Sequence, residues 1–137
     1  MSRRATLFLG IALTAAATAA VAQDLSWNDL RKAATALYMK RDLDGAIALE
    51  KKALAIAEKD SPRDPRILKD LGAMGSLYSL QHKYDAAIPV YERAVALNDA
   101  GVADPRLKST LNDLAAAYRA VGREADAKKA QARAAAL

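Results

Sequence analysis

The sequence predicts an all-α fold, a solenoid of three helix-turn-helix repeats in which six helices form antiparallel pairs. The first observation is composition, because the 137 residues are rich in alanine and include few glycines and few aromatic residues. This balance favours helices and gives little support to a sheet. The second observation is that sequence features recur about every forty residues, a period typical of stacked helical repeats.

Four recurring markers define the period. An Asp-Pro-Arg tripeptide occurs at residues 64–66 and again at 104–106. One tyrosine and two alanine positions each recur three times, at spacings of 40 or 41: Tyr38, Tyr78 and Tyr118; Ala46, Ala87 and Ala127; Ala53, Ala94 and Ala134. In the tripeptide, Asp can cap a helix and Pro fits the first helical position, where no backbone N–H is needed. Each tripeptide is therefore expected to start a helix.

Apolar residues at helical spacing extend this pattern along the chain. The repeats are predicted at about 26–60, 64–100 and 104–137. Their helices are predicted to begin at about Ser26, Leu43, Pro65, Asp85, Pro105 and Arg123. Turns within the repeats are expected at residues 81–83 and at Gly122. Pro89 is compatible with a helix that begins near Asp85, because proline costs little in the first turn.

The first 22 residues are predicted to be an export signal that is not part of the fold. Arg3 and Arg4 form a basic start, residues 5–19 are uncharged and mostly apolar, and residues 20–22 (Ala-Val-Ala) supply the small side chains of a signal-peptidase site. Cleavage after this site is expected to leave a repeat domain of residues 23–137. The expected location is periplasmic or secreted.

Two alternatives to a cleaved, Sec-type signal remain open. About 18 uncharged residues approach the length of a membrane span, so the segment could be retained as an anchor. Its many Ala and Thr residues favour insertion only weakly. The neighbouring Arg3 and Arg4 suggest a twin-arginine signal, but Thr6 stands where that motif prefers Phe, so this route is less favoured.

The chain offers few residues for catalysis or metal binding. It has no cysteine, which excludes disulfides, thiolate nucleophiles and Cys-ligated zinc. His82 is the only histidine, and its place in a predicted turn indicates a solvated side chain. We therefore expect no enzyme activity, no cofactor and no metal site. Without Arg3 and Arg4 the chain has 19 basic and 16 acidic residues, too small and too scattered an excess for a nucleic-acid surface.

The second and third repeats resemble the tetratricopeptide repeat (TPR) family. The family pattern W-x₂-L-G-x₂-Y…A-x₃-F is matched in the second repeat by Leu71, Met74, Gly75, Tyr78, Ala87 and Tyr91. The third repeat matches it with Leu111, Leu114, Ala115, Tyr118 and Ala127, and has Gln131 in place of the aromatic residue. The forty-residue period is similar to the longer repeats, of about 40 to 42 residues, of the kinesin light chain type. The resemblance implies a right-handed α-solenoid.

The first repeat departs most from the family pattern. Arg31, Ala34, Thr35 and Glu50 stand where apolar or small residues are expected, and the turn lacks a glycine. Terminal repeats of solenoids are often atypical because their outer faces meet water. The last helix is expected to present polar residues outward and small alanines inward, and so to act as its own cap.

The resemblance implies a concave groove lined by the first helix of each repeat, suited to an extended peptide or an acidic tail. The groove residues proposed from the family positions are Lys32, Lys40, Lys69, Ser76, Ser79, Ser109, Asn112 and Arg119. Asn112 matches the Asn with which the family holds peptide backbone. The family's carboxylate clamp is incomplete, because Lys69 is present while Ala73 lacks a side-chain donor. The same residues could equally form an ordinary solvated face.

These observations favour an adaptor or scaffold that binds a protein or peptide partner. No nucleic acid, and no membrane once the signal is removed, is expected as a partner. The alternative is a structural role in which the degenerate first repeat, around Trp27, Leu30 and Tyr38, forms a homo-oligomer interface.

Overall fold

The computed structural model describes residues 25–137, which form six α-helices and no strand. The helices are α1 (Trp27–Met39), α2 (Leu43–Asp60), α3 (Pro65–Leu80), α4 (Tyr84–Asp99), α5 (Leu107–Ala120) and α6 (Glu124–Ala135). Each helix packs on the next one along the chain, and α3 also contacts α5. The predicted α-solenoid of three helix pairs is confirmed. The predicted export signal lies outside the described residues and stays a prediction.

A side-chain cap begins the first helix of each of the first two repeats, as the sequence predicts. The Ser26 hydroxyl accepts a hydrogen bond from a backbone N–H in the first turn of α1. The Asp64 carboxylate accepts one from the Arg66 N–H at 2.8 Å, with Pro65 at the first position of α3. Each cap satisfies one of the N–H groups that a helix start leaves without a partner.

The third repeat begins its first helix later than predicted. Asp104 accepts a hydrogen bond from the Arg106 N–H at 2.9 Å, as the equivalent Asp does in the second repeat. However, Pro105 and Arg106 form a turn, closed by a 3.1 Å bond from the Leu107 N–H to the Asp104 carbonyl. The expectation that Pro105 starts the helix was therefore wrong by two residues, and α5 begins at Leu107.

The turn between the two helices has the same backbone geometry in all three repeats. Arg41, His82 and Gly122 occupy equivalent positions with φ values of 62°, 58° and 80°. In each turn the following residue donates its N–H to the carbonyl five residues earlier, at 2.8 or 2.9 Å. This is the Schellman arrangement, which needs one residue in the left-handed region. Only the third repeat places a glycine there.

Pro89 lies inside α4 and not in its first turn. The helix begins at Tyr84, one residue before the predicted start, so Pro89 is its sixth residue. Proline has no N–H to donate to the carbonyl of Asp85. Pro89 and Asp85 are both on the exposed face, where water can hydrate that carbonyl. The solvated position explains why the helix continues through the proline.

The core runs through the repeats as three adjoining clusters, and Tyr78 packs against all three. The helices α3 and α4 approach each other closely at Gly75. A Cβ added to Gly75 would lie 2.4 Å from Cε1 of Tyr91, and the Tyr91 side chain is among the largest that are fully buried. Glycine is thus required for α3 to approach this ring.

The last helix buries only small residues. Ala127, Ala130 and Ala134 face inward, whereas the polar residues of its other face are exposed: Glu124, Lys128, Lys129, Gln131 and Arg133. This matches the predicted polar outer face. Within residues 25–137, no helix combines the length and the apolar character needed to cross a membrane.

Candidate functional site

The first helices of the three repeats line a groove that contains two adjoining pockets. The first pocket, about 220 Å³, lies between α1 and α3 and is lined by Arg31, Ala34, Thr35, Tyr38, Glu50, Ala73, Ser76, Leu77 and Leu80. The second pocket, about 400 Å³, lies between α3 and α5 and is lined by Ser76, Ser79, Leu80, Tyr84, Tyr91, Asp113, Ala116 and Ala117. Ser76 and Leu80 belong to both pockets, so the two form one continuous groove.

A buried charged cluster lies beneath the first pocket. Glu50 of α2 and Asp70 of α3 are 4% and 0% exposed, and Arg31 of α1 reaches both. Its Nη1 lies 2.9 Å from Asp70 Oδ1 and 3.4 Å from Glu50 Oε2. The other oxygen of Asp70 accepts a hydrogen bond from Trp27 Nε1 at 2.8 Å. One guanidinium therefore faces two carboxylates from two other helices.

This environment changes the ionisation of Glu50. The pKa of Glu50 is raised to about 7, mainly by burial and also by the neighbouring Asp70 carboxylate, while Arg31 opposes the shift. Burial also raises the pKa of Asp70, against the hydrogen bonds from Trp27 and Arg31. Removing a carboxylate from water disfavours its charged form. Near neutral pH the cluster can therefore hold or release one proton at Glu50.

Glu50 occupies the position that an aromatic residue holds in the second repeat. It lies four residues after Ala46, as Tyr91 lies four residues after Ala87. In the second repeat Tyr91 fills the space against Gly75, whereas the first repeat has Thr35 at the position of that glycine. Arg31 and Glu50, the charged residues that depart from the repeat pattern, thus both belong to the cluster beneath the first pocket.

The second pocket is built around the Tyr91 ring. The Tyr91 hydroxyl lies 3.5 Å from Ser79 Oγ, and burial raises the pKa of Tyr91. Asp113 from α5 supplies a carboxylate to the opposite wall. Ser76, on the wall between the two pockets, donates its hydroxyl to the Gly72 carbonyl at 3.0 Å. Each pocket therefore combines apolar walls with one acidic side chain.

Cations surround Trp27 at one end of the groove. The guanidinium carbons of Arg31 and Arg66 lie 5.2 and 5.6 Å from the indole centroid, and Lys69 Nζ lies 5.8 Å from it. Cations at such distances are attracted to the face of an indole ring. Arg66 also pairs with Asp64 at 2.7 Å. These contacts hold the start of α1 against the start of α3.

Of the proposed groove residues, only Ser76 and Ser79 line the two pockets. Arg119 instead contacts the last helix, through Gln131 and, at 3.9 Å, Glu124. The remaining proposed residues are exposed and line neither pocket: Lys32, Lys40, Lys69, Ser109 and Asn112. The groove was expected to suit an extended peptide or an acidic tail, but its pockets contain the carboxylates of Glu50 and Asp113 as well as the Arg31 guanidinium.

The acidic residues of the groove were missed by the sequence reasoning. In the sequence Glu50 is marked only by its departure from the repeat pattern, and no motif singles out Asp70 or Asp113. One signal was available, since a charged residue at the position of a buried aromatic needs a buried partner. Asp70, the partner of Arg31 on α3, is 39 residues away in the chain and could be identified only from the placement of the helices.

Comparison with known proteins identifies the family. A model of the tetratricopeptide repeat matches residues 24–100, more than half of the chain. The chain belongs to the tetratricopeptide repeat family. The matched segment spans the first two TPR units and so includes the first repeat, which departs most from the pattern. No curated protein sequence matches the chain.

Two solved TPR-type structures are similar to the chain. BtubC (BKLC) from P. vanneervenii is 25% identical, with a TM-score of 0.75 over 87% of this chain and 49% of that one. A kinesin light chain protein with nearly identical TPR-like repeats from Podosopora anserina is 20% identical, with a TM-score of 0.67 over 80% of this chain and 53% of that one. The second likeness shows the fold alone. The chain spans about half the length of both structures.

TPR domains are in general protein–protein interaction modules and non-enzymatic scaffolds. Among residues 25–137, no group of three or more His, Asp or Glu side chains is arranged to hold a metal ion. The groove of this TPR domain offers largely apolar pockets with two carboxylates, one guanidinium and several hydroxyl groups, a set suited to recognising a side chain or a peptide.

Proposed function

We propose that the chain is an exported adaptor that binds an extended segment of a protein partner in the groove of α1, α3 and α5. The continuity of the two pockets through Ser76 and Leu80 is the observation that most supports this proposal. An extended peptide places alternate side chains on the same side, so two adjoining pockets can each receive one. Apolar walls with a few polar groups are typical of binding sites.

A groove-blocking variant tests the proposal. Ser76 is exposed at the centre of the groove, so Ser76→Trp is expected to obstruct both pockets without disturbing the core. Ala96→Trp on the exposed face of α4 is the matched control. Peptides are selected from a random displayed library on the wild-type chain. We expect most of them to lose binding to Ser76→Trp and to keep binding to Ala96→Trp; equal binding to both variants would contradict the groove.

The export part of the proposal rests on the N-terminal sequence, with its basic start, apolar run and Ala-Val-Ala site at residues 20–22. Expression of the full chain in a Gram-negative host, followed by fractionation and mass measurement, tests it. The expected product is periplasmic and begins at Gln23. An uncleaved chain in the membrane fraction would support the anchor instead, and an uncleaved chain in the cytoplasm would contradict both.

Self-association is the second candidate function, and an exposed apolar patch favours it. Tyr38, Met39 and Leu80 are 43%, 75% and 52% exposed and line a cavity of about 380 Å³ at the ends of α1 and α3. The interface first expected around Trp27 and Leu30 needs correction. Leu30 is buried, and Trp27 packs against the core with its N–H bonded to Asp70.

Sedimentation over a range of concentrations distinguishes this second candidate. If the patch joins two copies, the wild-type chain forms a concentration-dependent dimer and Met39→Lys remains monomeric. The Lys128→Met substitution, on the exposed face of α6, controls for a general change in surface character. A wild-type chain that is monomeric at all concentrations would remove this candidate.

A further inference from the structure

The charges beneath the first pocket do not balance when both carboxylates are ionised. Within ion-pairing distance Arg31 supplies one positive charge, from α1, while Glu50 on α2 and Asp70 on α3 supply two negative ones. Arg66 also acts on Asp70, from further away, whereas Arg31 is the cation that acts on Glu50. The guanidinium lies closer to Asp70, at 2.9 Å, than to Glu50, at 3.4 Å. A buried carboxylate without full compensation needs either a proton or another cation. The excess negative charge lies on the Glu50 side, which faces the pocket.

The walls of this pocket suit an aliphatic chain. Ala34, Tyr38, Ala73, Leu77 and Leu80 make most of the lining apolar, and its polar groups come from Arg31, Thr35, Ser76 and Glu50. The Arg31 guanidinium is already paired with the Asp70 carboxylate. A side chain that enters must therefore be apolar along its length and positively charged at its end. Lysine has this form, with four methylene groups and a terminal ammonium.

We propose that the first pocket is a specificity pocket for a lysine side chain of the bound segment, whose ammonium pairs with Glu50. This inference rests on the proposed function and names the chemistry that one of its two pockets recognises. The lysine stem packs against the apolar walls, and its ammonium replaces the proton that Glu50 holds when the pocket is empty of ligand.

Lysine fits this site better than arginine for a geometric reason. Arg31 already contacts Oε2 of Glu50, so a second guanidinium could pair with both oxygens of the carboxylate only by sharing Oε2 with Arg31. The planar guanidinium gains most from such a two-bond pairing, whereas an ammonium acts as a compact charge with three rotatable donors. An acidic ligand is disfavoured, because its carboxylate would approach Glu50.

If the pocket binds lysine, the affinity should increase as the pH rises through neutrality. Glu50 has a pKa raised to about 7 by burial, whereas a lysine amine stays charged up to about pH 10. The groups that face Glu50 from the adjoining helices are Arg31 on α1 and Asp70 on α3. Lysine binding requires the ionised form of Glu50 and should be about tenfold stronger at pH 8 than at pH 6.

Small probes test the pocket without knowledge of the partner. Butylammonium reproduces the lysine side chain, and butanol, of the same length but uncharged, is its control. Each is titrated into the ¹⁵N-labelled chain at pH 8 while backbone amide shifts are recorded. We expect butylammonium to shift the amides of Ala34, Ala73 and Leu77 and to bind at least about tenfold more tightly than butanol, as a hydrogen bond between charged groups requires.

Two matched variants test whether Glu50 is responsible for the preference for butylammonium. Glu50→Gln keeps the shape of the side chain and should abolish the preference for butylammonium, while Asp113→Asn, in the second pocket, should retain it. Circular dichroism checks that both variants remain helical. Equal affinity for the two probes, no shift at any concentration, or an unchanged preference in Glu50→Gln would overturn the proposal.

Selection from a random peptide library tests the lysine pocket separately from peptide binding in the groove. Peptides captured by the wild-type chain should be enriched in lysine at one position, and the enrichment should disappear in those captured by Glu50→Gln. Captured peptides with no such lysine would overturn the lysine pocket and leave the groove intact. Failure to capture any peptide would count against both.

Discussion

Arg31 of α1 pairs with Asp70 of α3 across the boundary between the first and second repeats, at 2.9 Å from a carboxylate that is fully buried. Trp27 donates to the same carboxylate at 2.8 Å. The first repeat, which lacks several residues of the family pattern, is thus joined to the second through polar contacts. Their loss should affect the fold more than the loss of an exposed ion pair.

We predict that Asp70→Ala lowers the free energy of unfolding by about 2 to 4 kcal/mol, because Trp27 and Arg31 lose a buried partner. Asp60→Ala is the control, since the ion pair of Asp60 with Arg66 is at the surface and should contribute at most about 1 kcal/mol. Urea denaturation followed by circular dichroism measures both. Equal effects would show that the buried pair does not stabilise the repeat boundary.

The second prediction concerns pH. The pKa of Glu50 is raised to about 7 in the folded chain, so the folded state binds a proton more tightly than the unfolded state does. The stability that this proton contributes is complete below about pH 4.5 and is lost as pH rises through about 7. The raised pKa of Asp70 acts in the same direction.

Glu50→Gln should remove most of this dependence. Between pH 5 and pH 8 the wild-type chain is expected to lose on the order of 2 kcal/mol more unfolding free energy than the variant. Urea denaturation at the two pH values measures the difference. Parallel pH profiles for the two chains would mean that Glu50 does not titrate in this range.

The third prediction concerns the turns. His82 has a φ of 58° and an exposed side chain, so His82→Gly should relieve backbone strain and raise stability by about 0.5 to 1 kcal/mol. Gly122→Ala, at the equivalent position of the third repeat with φ 80°, should lower stability by a similar amount. Thermal denaturation of the two variants measures whether stability rises in the first and falls in the second. A loss of stability in His82→Gly would contradict the strain argument.

The fourth prediction concerns the approach of α3 to α4. Gly75→Ala places a Cβ 2.4 Å from the buried Tyr91 ring, and the overpacking should lower stability by about 2 to 3 kcal/mol. Gly72→Ala is the control on the same helix, because its nearest neighbour, 3.1 Å away, is the end of the flexible Arg106 side chain. Chemical denaturation compares them. Similar losses in both would indicate a general effect of alanine on α3.

The repeat architecture was predictable because local signals recur at a fixed period. The Asp-Pro-Arg caps, the tyrosines and the packing alanines each act within one helix or one helix pair, so their spacing defines the solenoid. The residues at which the helices begin were less predictable. The same tripeptide begins α3 at Pro65 but forms a turn before α5, because more than one backbone arrangement satisfies the Asp cap.

The composition of the groove was less predictable, because it depends on contacts between repeats. Ser76 and Ser79 were proposed as groove residues from the positions of the family that the repeats resemble, and both line the pockets. Glu50 belongs to a second helix, at the position equivalent to Tyr91, and both residues line pockets of the groove. Its ionisation depends on Asp70, twenty residues further along the chain, and no local pattern connects the two.

Amide chemical-shift mapping is the most direct test of whether α1, α3 and α5 form the binding groove. A peptide selected on the wild-type chain is titrated into the ¹⁵N-labelled chain. We predict that the largest shifts fall around the two pockets, at residues such as Thr35, Ala73, Ser76 and Ala116. Shifts confined to the outer faces of α2, α4 and α6 would contradict a binding groove formed by these helices.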